Sequence, residues 1–176
     1  MYIRTSGHLG QAEMPGVYGT PCLWDKQNLI PDWDVMGFIL VKKNLDDFYV
    51  PKFDLRTKHK VWIRNQFVPR IVQSWQTSKP IRTIILVGHT DEPGNLSYNY
   101  TLGLNRAKAV CHRIIKEIND RDKGLAKKIN IVTFSFGECW PLIKSGKFNR
   151  RNRRVEVYAT DQELPSQYQS AICTLP

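Results

Sequence analysis

The stretch of sequence that decides the fold runs from residue 83 to residue 94 and reads TIILVGHTDEPG. Its first five residues are apolar or β-branched, which is typical of a strand that is buried on both faces of a sheet. The polar residues that follow end in Pro93 and Gly94, and this composition indicates a loop. Binding residues often lie on loops at the ends of buried strands. The first carboxylate after the strand, that of Asp91, is therefore a candidate functional group.

A long helix is predicted after this loop, from about Ser97 to about Asp120. Five residues at intervals of four share one stripe of this helix: Leu102, Arg106, Val110, Ile114 and Ile118. Because four of them are apolar, we expect the stripe to face the core and to carry Arg106 inward. Asn99 lies three residues before Leu102 and joins the same face.

The other elements are predicted from shorter patterns. Strands are expected at residues 35–41, 83–87, 129–134 and 154–158, and a helix at residues 57–75 that Pro69 kinks or splits. The order strand, helix, strand, helix, strand, strand predicts an α+β sandwich with two main helices on one face of a mixed four-stranded sheet. We expect three parts of the chain: an irregular N-terminal extension (residues 1–34), one domain (35–160) and a C-terminal tail (161–176) that runs over the surface.

The composition is that of a globular protein. The chain has 176 residues, of which 41% are hydrophobic and 24% charged, which is enough apolar material for a core. No run approaches the roughly 20 apolar residues that a membrane span needs. The first residues lack the apolar core and the cleavage site of a secretory signal. Either the chain is not exported by that route, or the signal is not part of this sequence.

Catalytic and metal-binding patterns are not found. The four histidines have no metal spacing, and no Ser-His-Asp or Cys-His order stands out. We therefore expect no enzymatic activity, no cofactor and no metal. The four cysteines are also too far apart in sequence for a metal site. Unpaired buried thiols are one interpretation of them, and a Cys22–Cys173 disulfide in an oxidising compartment is the other.

Asp91 and Arg106 leave two interpretations open. An inward-pointing guanidinium needs acceptors, because an unpaired buried charge costs several kcal/mol. Asp91, at the strand end just before the helix, is placed to supply them. One interpretation is a structural salt bridge that joins the helix to the strand. The other is a site in which both charges, with the free N–H groups of the helix N-terminus, hold a zwitterion.

Four sequence blocks resemble the signature of the OmpA-like peptidoglycan-binding domain. The blocks are Gly-His-Thr-Asp at residues 88–91; Gly94, Asn99, Leu102, Arg106, Ala107 and Val110; Gly-Glu-Cys-Trp-Pro at 137–141; and Asn-Arg-Arg-Val-Glu at 152–156. They follow one another in the order and spacing of that family. The resemblance covers residues 35–160 and is strongest from 84 to 158.

This resemblance implies a non-catalytic module that binds the peptidoglycan of the cell wall through the diaminopimelate of the peptide stem. The residues that it implies for the site are Asp91, Arg106, Asn99, Thr90, Gly88 and Arg153. Asp91 would hold the ammonium of diaminopimelate, Arg106 would hold its carboxylate, and Asn99 would orient it. The resemblance also implies a location in the cell envelope or periplasm, where the module would anchor itself or a larger assembly to the wall.

Two departures from the family pattern bear on this expectation. Gly103 replaces a common Ser, and Asn149 replaces a common Arg. They leave room for a changed ligand or for a relative that has lost binding. The absence of a visible secretory signal and the irregular first 34 residues motivate a second function, that of a structural or assembly protein in a phage-like or secretion-type injection apparatus. A nucleic-acid partner is a third, because the formal charge is +10 and a run of Lys and Arg spans residues 144–154. No DNA-reading motif accompanies this run, so a solvated or wall-facing loop is favoured.

Overall fold

The computed structural model describes residues 36–91, 95–144 and 148–176. The irregular extension predicted for residues 1–34 lies outside the described residues. Within these ranges the chain forms four strands and three α-helices: β1 (Ile39–Leu45), β2 (Thr83–His89), β3 (Asn130–Gly137), β4 (Val155–Thr160), α1 (Thr57–Trp62), α2 (Val68–Ser74) and α3 (Leu96–Asn119). None of these helices combines the length and the apolar character that crossing a membrane requires.

The strands form one mixed sheet in the order β1-β4-β2-β3. β2 and β3 run parallel, with Thr83 opposite Asn130, whereas β4 is antiparallel to both β1 and β2. All seven residues of the inner strand β2 are buried, as its continuous apolar run predicts. The predicted α+β class with a mixed four-stranded sheet is confirmed.

The predicted helix at residues 57–75 continues through its proline by means of a wider turn. α1 and α2 are joined by a π-helical turn over Ile63–Phe67, and Pro69 lies in the first turn of α2. Proline has no N–H, and its ring crowds the carbonyl four residues earlier, so a regular α-helical turn is disfavoured there. The π-helical turn relieves this conflict and keeps the apolar side chains on the core side. The buried apolar residues are Ile63, Phe67, Val68 and Ile71.

α3 packs on the same face of the sheet as α1 and α2. The side chain of Asn95 caps it by accepting a hydrogen bond from the Tyr98 N–H at 3.2 Å. Two glycines allow a very close approach to β2, because a Cβ on Gly88 would lie 1.7 Å from the carbonyl oxygen of Gly103. Gly103, one of the departures from the family pattern, therefore lies where the helix backbone meets the strand backbone.

The opposite face of the sheet is covered by the C-terminal tail, which we expected on the surface. Residues 166–171 form a 3-10 helix, and Ile172 makes an antiparallel bridge to Val132. The tail places Leu164, Tyr168 and Ala171 in a cluster with the apolar side chains of β2 and β3. The expected surface tail is therefore wrong. The helices cover only one face of the sheet, and the tail buries apolar side chains of the other.

The cysteines differ from both interpretations of the sequence. Cys111 of α3 and Cys173 of the tail form a disulfide with their Cα atoms 6.6 Å apart, within the usual range. Cys173 is therefore not available to Cys22, which lies outside the described residues. No cysteine of the described ranges is a free thiol. The tail brings the two sulfurs together because it folds back along β3, where the Cys173 N–H donates to the carbonyl of Ile131 at 2.8 Å.

Candidate functional site

Asp91 lies just past the end of β2, and its side chain is fully buried. Its Oδ2 accepts two hydrogen bonds, from Nη1 of Arg153 at 2.6 Å and from the backbone N–H of Asn149 at 2.7 Å. Its Oδ1 is also buried but has no hydrogen-bond partner within the described residues. One oxygen of the carboxylate is thus satisfied, and the other retains unused acceptor capacity.

Arg106 lies on the buried stripe of α3 and is 1% exposed. Its Nη1 donates to the carbonyl of His89, at the end of β2, at 2.9 Å. Its Nε donates to the carbonyl of Lys52 at 3.0 Å, and its Nη2 donates to that of Tyr49 at 3.2 Å. The guanidinium also lies 5.5 Å from the centre of the Phe48 ring, within cation–π range. Arg106 therefore ties the connection between β1 and α1 to the end of β2.

The ion pair that the sequence suggested between Asp91 and Arg106 is replaced by a different one. Among the described residues, the cation that pairs with Asp91 is Arg153, which comes from the loop before β4. Nε of Arg153 also donates to the carbonyl of Phe48. The two charged residues predicted to share a ligand therefore lie near the same strand end, but each is held by different groups of the protein.

The other predicted site residues are buried and contribute to packing and hydrogen bonding. Gly88 permits the close contact with α3. The Thr90 N–H donates to the Gly137 carbonyl at 2.9 Å, while its buried Oγ1 has no partner in the described part of the chain. Nδ2 of Asn99 donates to the carboxylate of Glu138 at 2.7 Å. Burial raises the pKa of Glu138, and this hydrogen bond from Asn99 lowers it in part.

Sequence reasoning missed the segment that closes the site. Residues 47–52, in the connection between β1 and α1, lie over Arg106 and beside Arg153 through their backbone carbonyls. The segment is anchored by Phe48, whose side chain is completely buried. The run Asp-Asp-Phe-Tyr at residues 46–49 could have indicated this segment. In it, the large apolar side chain of Phe48, which requires burial, follows two acidic residues. The backbone N–H of Asn149 was also missed, because any residue at that position except proline supplies it.

A second charged cluster lies further along β4. Nε and Nη2 of Arg154 donate to Oε1 of Glu156 at 3.0 and 2.7 Å, and the Tyr158 hydroxyl donates to Oε2 at 2.8 Å. Nε2 of His89 lies 3.5 Å from Oε1 of Glu156. Arg154 is 1% exposed, so this member of the basic run is part of the core and not of a solvated loop. Its guanidinium is in the interior because it is matched there by a carboxylate.

The chemistry available at the site is that of binding. A buried carboxylate oxygen without a donor is unfavourable, and it gains most from a ligand that brings a charged N–H group. Burial also means that such a hydrogen bond would form in a medium of low polarity, where it is stronger than in water. In the described ranges, the His, Cys, Asp and Glu side chains form no group of three or more that could hold a metal ion.

Similar proteins are found among solved structures. No protein-family model and no curated protein matches the chain. Among solved structures, the peptidoglycan-associated lipoprotein of Burkholderia pseudomallei is 21% identical, with a TM-score of 0.51 over 67% of this chain and 90% of that one. The OmpA-like domain of FopA1 from Francisella tularensis is 28% identical, with a TM-score of 0.49 over 66% and 71% of the two chains. The C-terminal domain of Helicobacter pylori MotB is 20% identical, with a TM-score of 0.49 over 67% and 84%.

The architecture is established by the similarity to the Burkholderia lipoprotein, together with the order of the strands and the position of the helices on one face of the sheet. The described part of this chain has the fold of an OmpA-like C-terminal domain.

Proposed function

We propose that this chain is a non-catalytic module that binds peptidoglycan through the diaminopimelate of the peptide stem. The observation that carries the proposal is the buried Oδ1 of Asp91, which has no hydrogen-bond partner in the described part of the chain. A fold of this kind can host unrelated functions, so the fold alone does not decide the matter. The buried acceptor adds a chemical requirement, because it calls for a ligand with a positively charged N–H donor.

Diaminopimelate meets this requirement with its side-chain amino-acid group, which carries an ammonium and a carboxylate on one carbon. The ammonium donates to Oδ1 of Asp91. The carboxylate then approaches Arg106 and competes with the carbonyls of Tyr49 and Lys52, at 3.2 and 3.0 Å from the guanidinium. A carboxylate is a stronger acceptor for a guanidinium than a neutral carbonyl is, so the exchange is favourable. Binding therefore requires the segment Tyr49–Lys52 to move outward.

The disulfide supports a location outside the cytosol. Disulfides such as Cys111–Cys173 persist in oxidising compartments, including the bacterial periplasm, and are rare in the cytosol. The net charge of +10 also favours a polymer that carries carboxylates, such as the cell wall. Both properties agree with a module that works in the cell envelope.

The proposal is tested by co-sedimentation with insoluble peptidoglycan of two kinds, one with diaminopimelate in its stems and one with lysine in that position. Lysine keeps the side-chain ammonium but lacks the carboxylate beside it. We expect the wild type to pellet with the diaminopimelate wall at 0.15 M and at 0.5 M salt, where charge attraction between exposed groups is screened. Asp91→Asn removes the charge with little change of shape, and loss of such a pair costs about 2–5 kcal/mol, or roughly thirtyfold or more in Kd.

The matched control is Glu163→Gln, which changes the net charge equally at a side chain that is 73% exposed. It should pellet as the wild type does. Equal binding of both walls, or a folded Asp91→Asn variant that still pellets, would leave only non-specific attraction and would remove the proposed site.

A second candidate function, that of an assembly protein, is favoured because the guanidinium groups of Arg106 and Arg153 already bind other groups of the protein. Arg106 donates to three backbone carbonyls, and Arg153 pairs with Asp91. A relative that uses the fold only for contacts within an assembly would keep such a closed cluster. Failure of the folded wild type to pellet with either wall, together with its recovery in a large complex from envelope extracts, would support this assembly function.

A further inference from the structure

The exposed apolar side chains of this protein are concentrated on the two connections that enclose Asp91 and Arg106. Of the ten large hydrophobic residues that are exposed in the described ranges, six lie on the connection from β1 to α1 or on that from β3 to β4: Tyr49, Val50, Phe53, Trp140, Leu142 and Phe148. Single exposed apolar residues are ordinary, but a concentration of them marks a binding surface. We call this group the aromatic rim.

The two connections are held side by side at the site. The Asp47 N–H donates to the carbonyl of Arg150 at 2.9 Å, and the Phe48 N–H donates to that of Arg153 at 3.2 Å. Tyr49 follows directly after this contact, and Phe148 directly precedes Asn149, whose N–H donates to Asp91. The rings of Tyr49 and Phe148 are therefore attached to the two backbone segments that line the site.

Phe148 is the most exposed member of the rim. It is 66% exposed, and its ring stacks on no other aromatic ring or cation within the described residues. The exposed cations Lys52, Arg150 and Arg151 lie on the same two connections. The Tyr49 ring is covered by the guanidinium of Arg56, 4.5 Å from its centre, so Phe148 is the aromatic face that this positively charged surface leaves open.

We propose that the aromatic rim, and Phe148 in particular, packs against the sugar rings of the glycan strand whose peptide stem occupies the Asp91 site. This inference rests on the proposed function. One face of a pyranose ring presents several C–H groups, and it packs well on the electron-rich face of an aromatic ring. The cations suit the free carboxylates of the stem. The partner is therefore a glycopeptide that bears carboxylates. The Asp91 site binds one residue of its peptide, and the aromatic rim binds its sugar.

The geometry of the ligand is consistent with this division. Diaminopimelate is the third residue of the stem, so a chain of about 10 Å separates it from the sugar when it is extended. A sugar at that distance reaches the exposed rim and not the buried interior around Asp91. Single-stranded nucleic acid also stacks on aromatic rings beside cations. The disulfide between Cys111 and Cys173 favours the wall, because it indicates an oxidising compartment.

The test compares two soluble ligands by calorimetric titration: a disaccharide-linked stem peptide and the same stem peptide without sugars, both with diaminopimelate. We expect the wild type to bind the disaccharide ligand about tenfold more tightly, because a well-placed aromatic contact is worth at least about that factor. Phe148→Ala should abolish this advantage and leave the affinity for the sugar-free peptide unchanged. Phe148→Tyr should retain the advantage, whereas Phe148→Leu, which is apolar but not flat, should lose it. Val61→Ala, at a residue 47% exposed on α1, is the control and should behave as the wild type.

Each result decides the inference. If the wild type binds both ligands equally, or if Phe148→Ala keeps the advantage of the disaccharide ligand, the glycan contact is refuted while the proposed function stands. If the wild type binds neither ligand, the proposed function fails as well. If Phe148→Ala instead loses retention of oligothymidine at 0.15 M salt without a change in binding of the disaccharide ligand, the rim is a nucleic-acid surface and the inference is wrong.

Discussion

Removal of the Cys111–Cys173 disulfide should destabilise the protein by an amount that follows from its position. The bond closes a loop of 62 residues. The loss of chain entropy in the unfolded state that such a cross-link imposes corresponds to about 4 kcal/mol at 25 °C. This is a large fraction of the roughly 5–15 kcal/mol of stability that is usual for a domain. For a chain of this length, it corresponds to a fall of about 8–16 °C in Tm.

The assay is thermal and urea unfolding of Cys111→Ala, Cys173→Ala and the double variant, each against the wild type. Both sulfurs are buried, so the double variant also loses some packing. Each single variant removes the same bond but only one sulfur. If the cross-link is the main contribution, each single variant therefore loses nearly as much stability as the double variant does.

Two results would refute this reasoning. A fall in Tm below about 2 °C for the double variant would mean that the tail is held without the bond. Losses in the two single variants that add up to the loss in the double variant would mean that packing of the sulfurs, and not loop closure, accounts for the stability.

Three further predictions concern the strand end and the segment above it. Gly88→Ala should lower the free energy of unfolding in urea by about 3 kcal/mol or more, because its Cβ would lie 1.7 Å from the Gly103 carbonyl oxygen. Gly124→Ala is the control and should be nearly neutral, since the nearest atom to its Cβ would lie 3.6 Å away. Equal losses in the two variants would contradict the close packing. Arg106→Ala should cost about 3–5 kcal/mol because three backbone carbonyls, of which that of His89 is in a fully buried hydrogen bond, lose a charged donor. A loss below about 1 kcal/mol would mean that the guanidinium does not hold the segment. Burial lowers the pKa of His59, so the unfolded chain binds a proton at a pH where the folded chain does not, and stability should fall as the pH drops below about 6.5. The urea midpoints of the wild type from pH 8 to pH 5 should show this fall. An equally steep fall in His59→Gln would exclude His59 as its source.

The elements that the sequence predicted well are those whose pattern is local. α3 was expected at about residues 97–120 and spans Leu96–Asn119, because the residues of its buried stripe repeat at helical spacing over more than four turns. β2 was recognised from another local signal, a short continuous run of apolar and β-branched residues. β1 was expected at residues 35–41 but spans Ile39–Leu45. It lies at the edge of the sheet, where three of its polar residues face solvent, so the apolar run marked only its beginning.

The elements that the sequence predicted poorly depend on contacts between residues that are far apart in the chain. The tail is polar on average, and only four of its residues are buried: Leu164, Tyr168, Ala171 and Cys173. Cys111 and Cys173 are brought together by the path of the tail along β3, which no local pattern encodes. A surface tail and unpaired thiols were the natural expectations from composition.

At the candidate site too, features with a local sequence pattern were predicted, and features that depend on contacts between distant residues were not. The inward direction of Arg106 was predicted by helical spacing and is confirmed by its burial. Its partners were not predicted, because they are backbone carbonyls, which every residue possesses. Arg153 and Arg154 are neighbours in one basic run, yet one pairs with Asp91 and the other with Glu156. Both residues lie just before β4, and the ion pairs that they form in the folded chain place their side chains in two different sites, which the basic run itself does not indicate.

The roles of Asp91, Arg106, Asn99, Thr90, Gly88 and Arg153 in ligand binding remain predictions. The measurement that tests the central claim most directly is a calorimetric titration of the folded protein with a soluble stem peptide that ends in diaminopimelate, at 0.15 M salt. The account predicts saturable binding at one site, with a loss of roughly thirtyfold or more in affinity for Asp91→Asn. Absence of binding by the folded wild type, or an affinity that Asp91→Asn leaves unchanged, would contradict it.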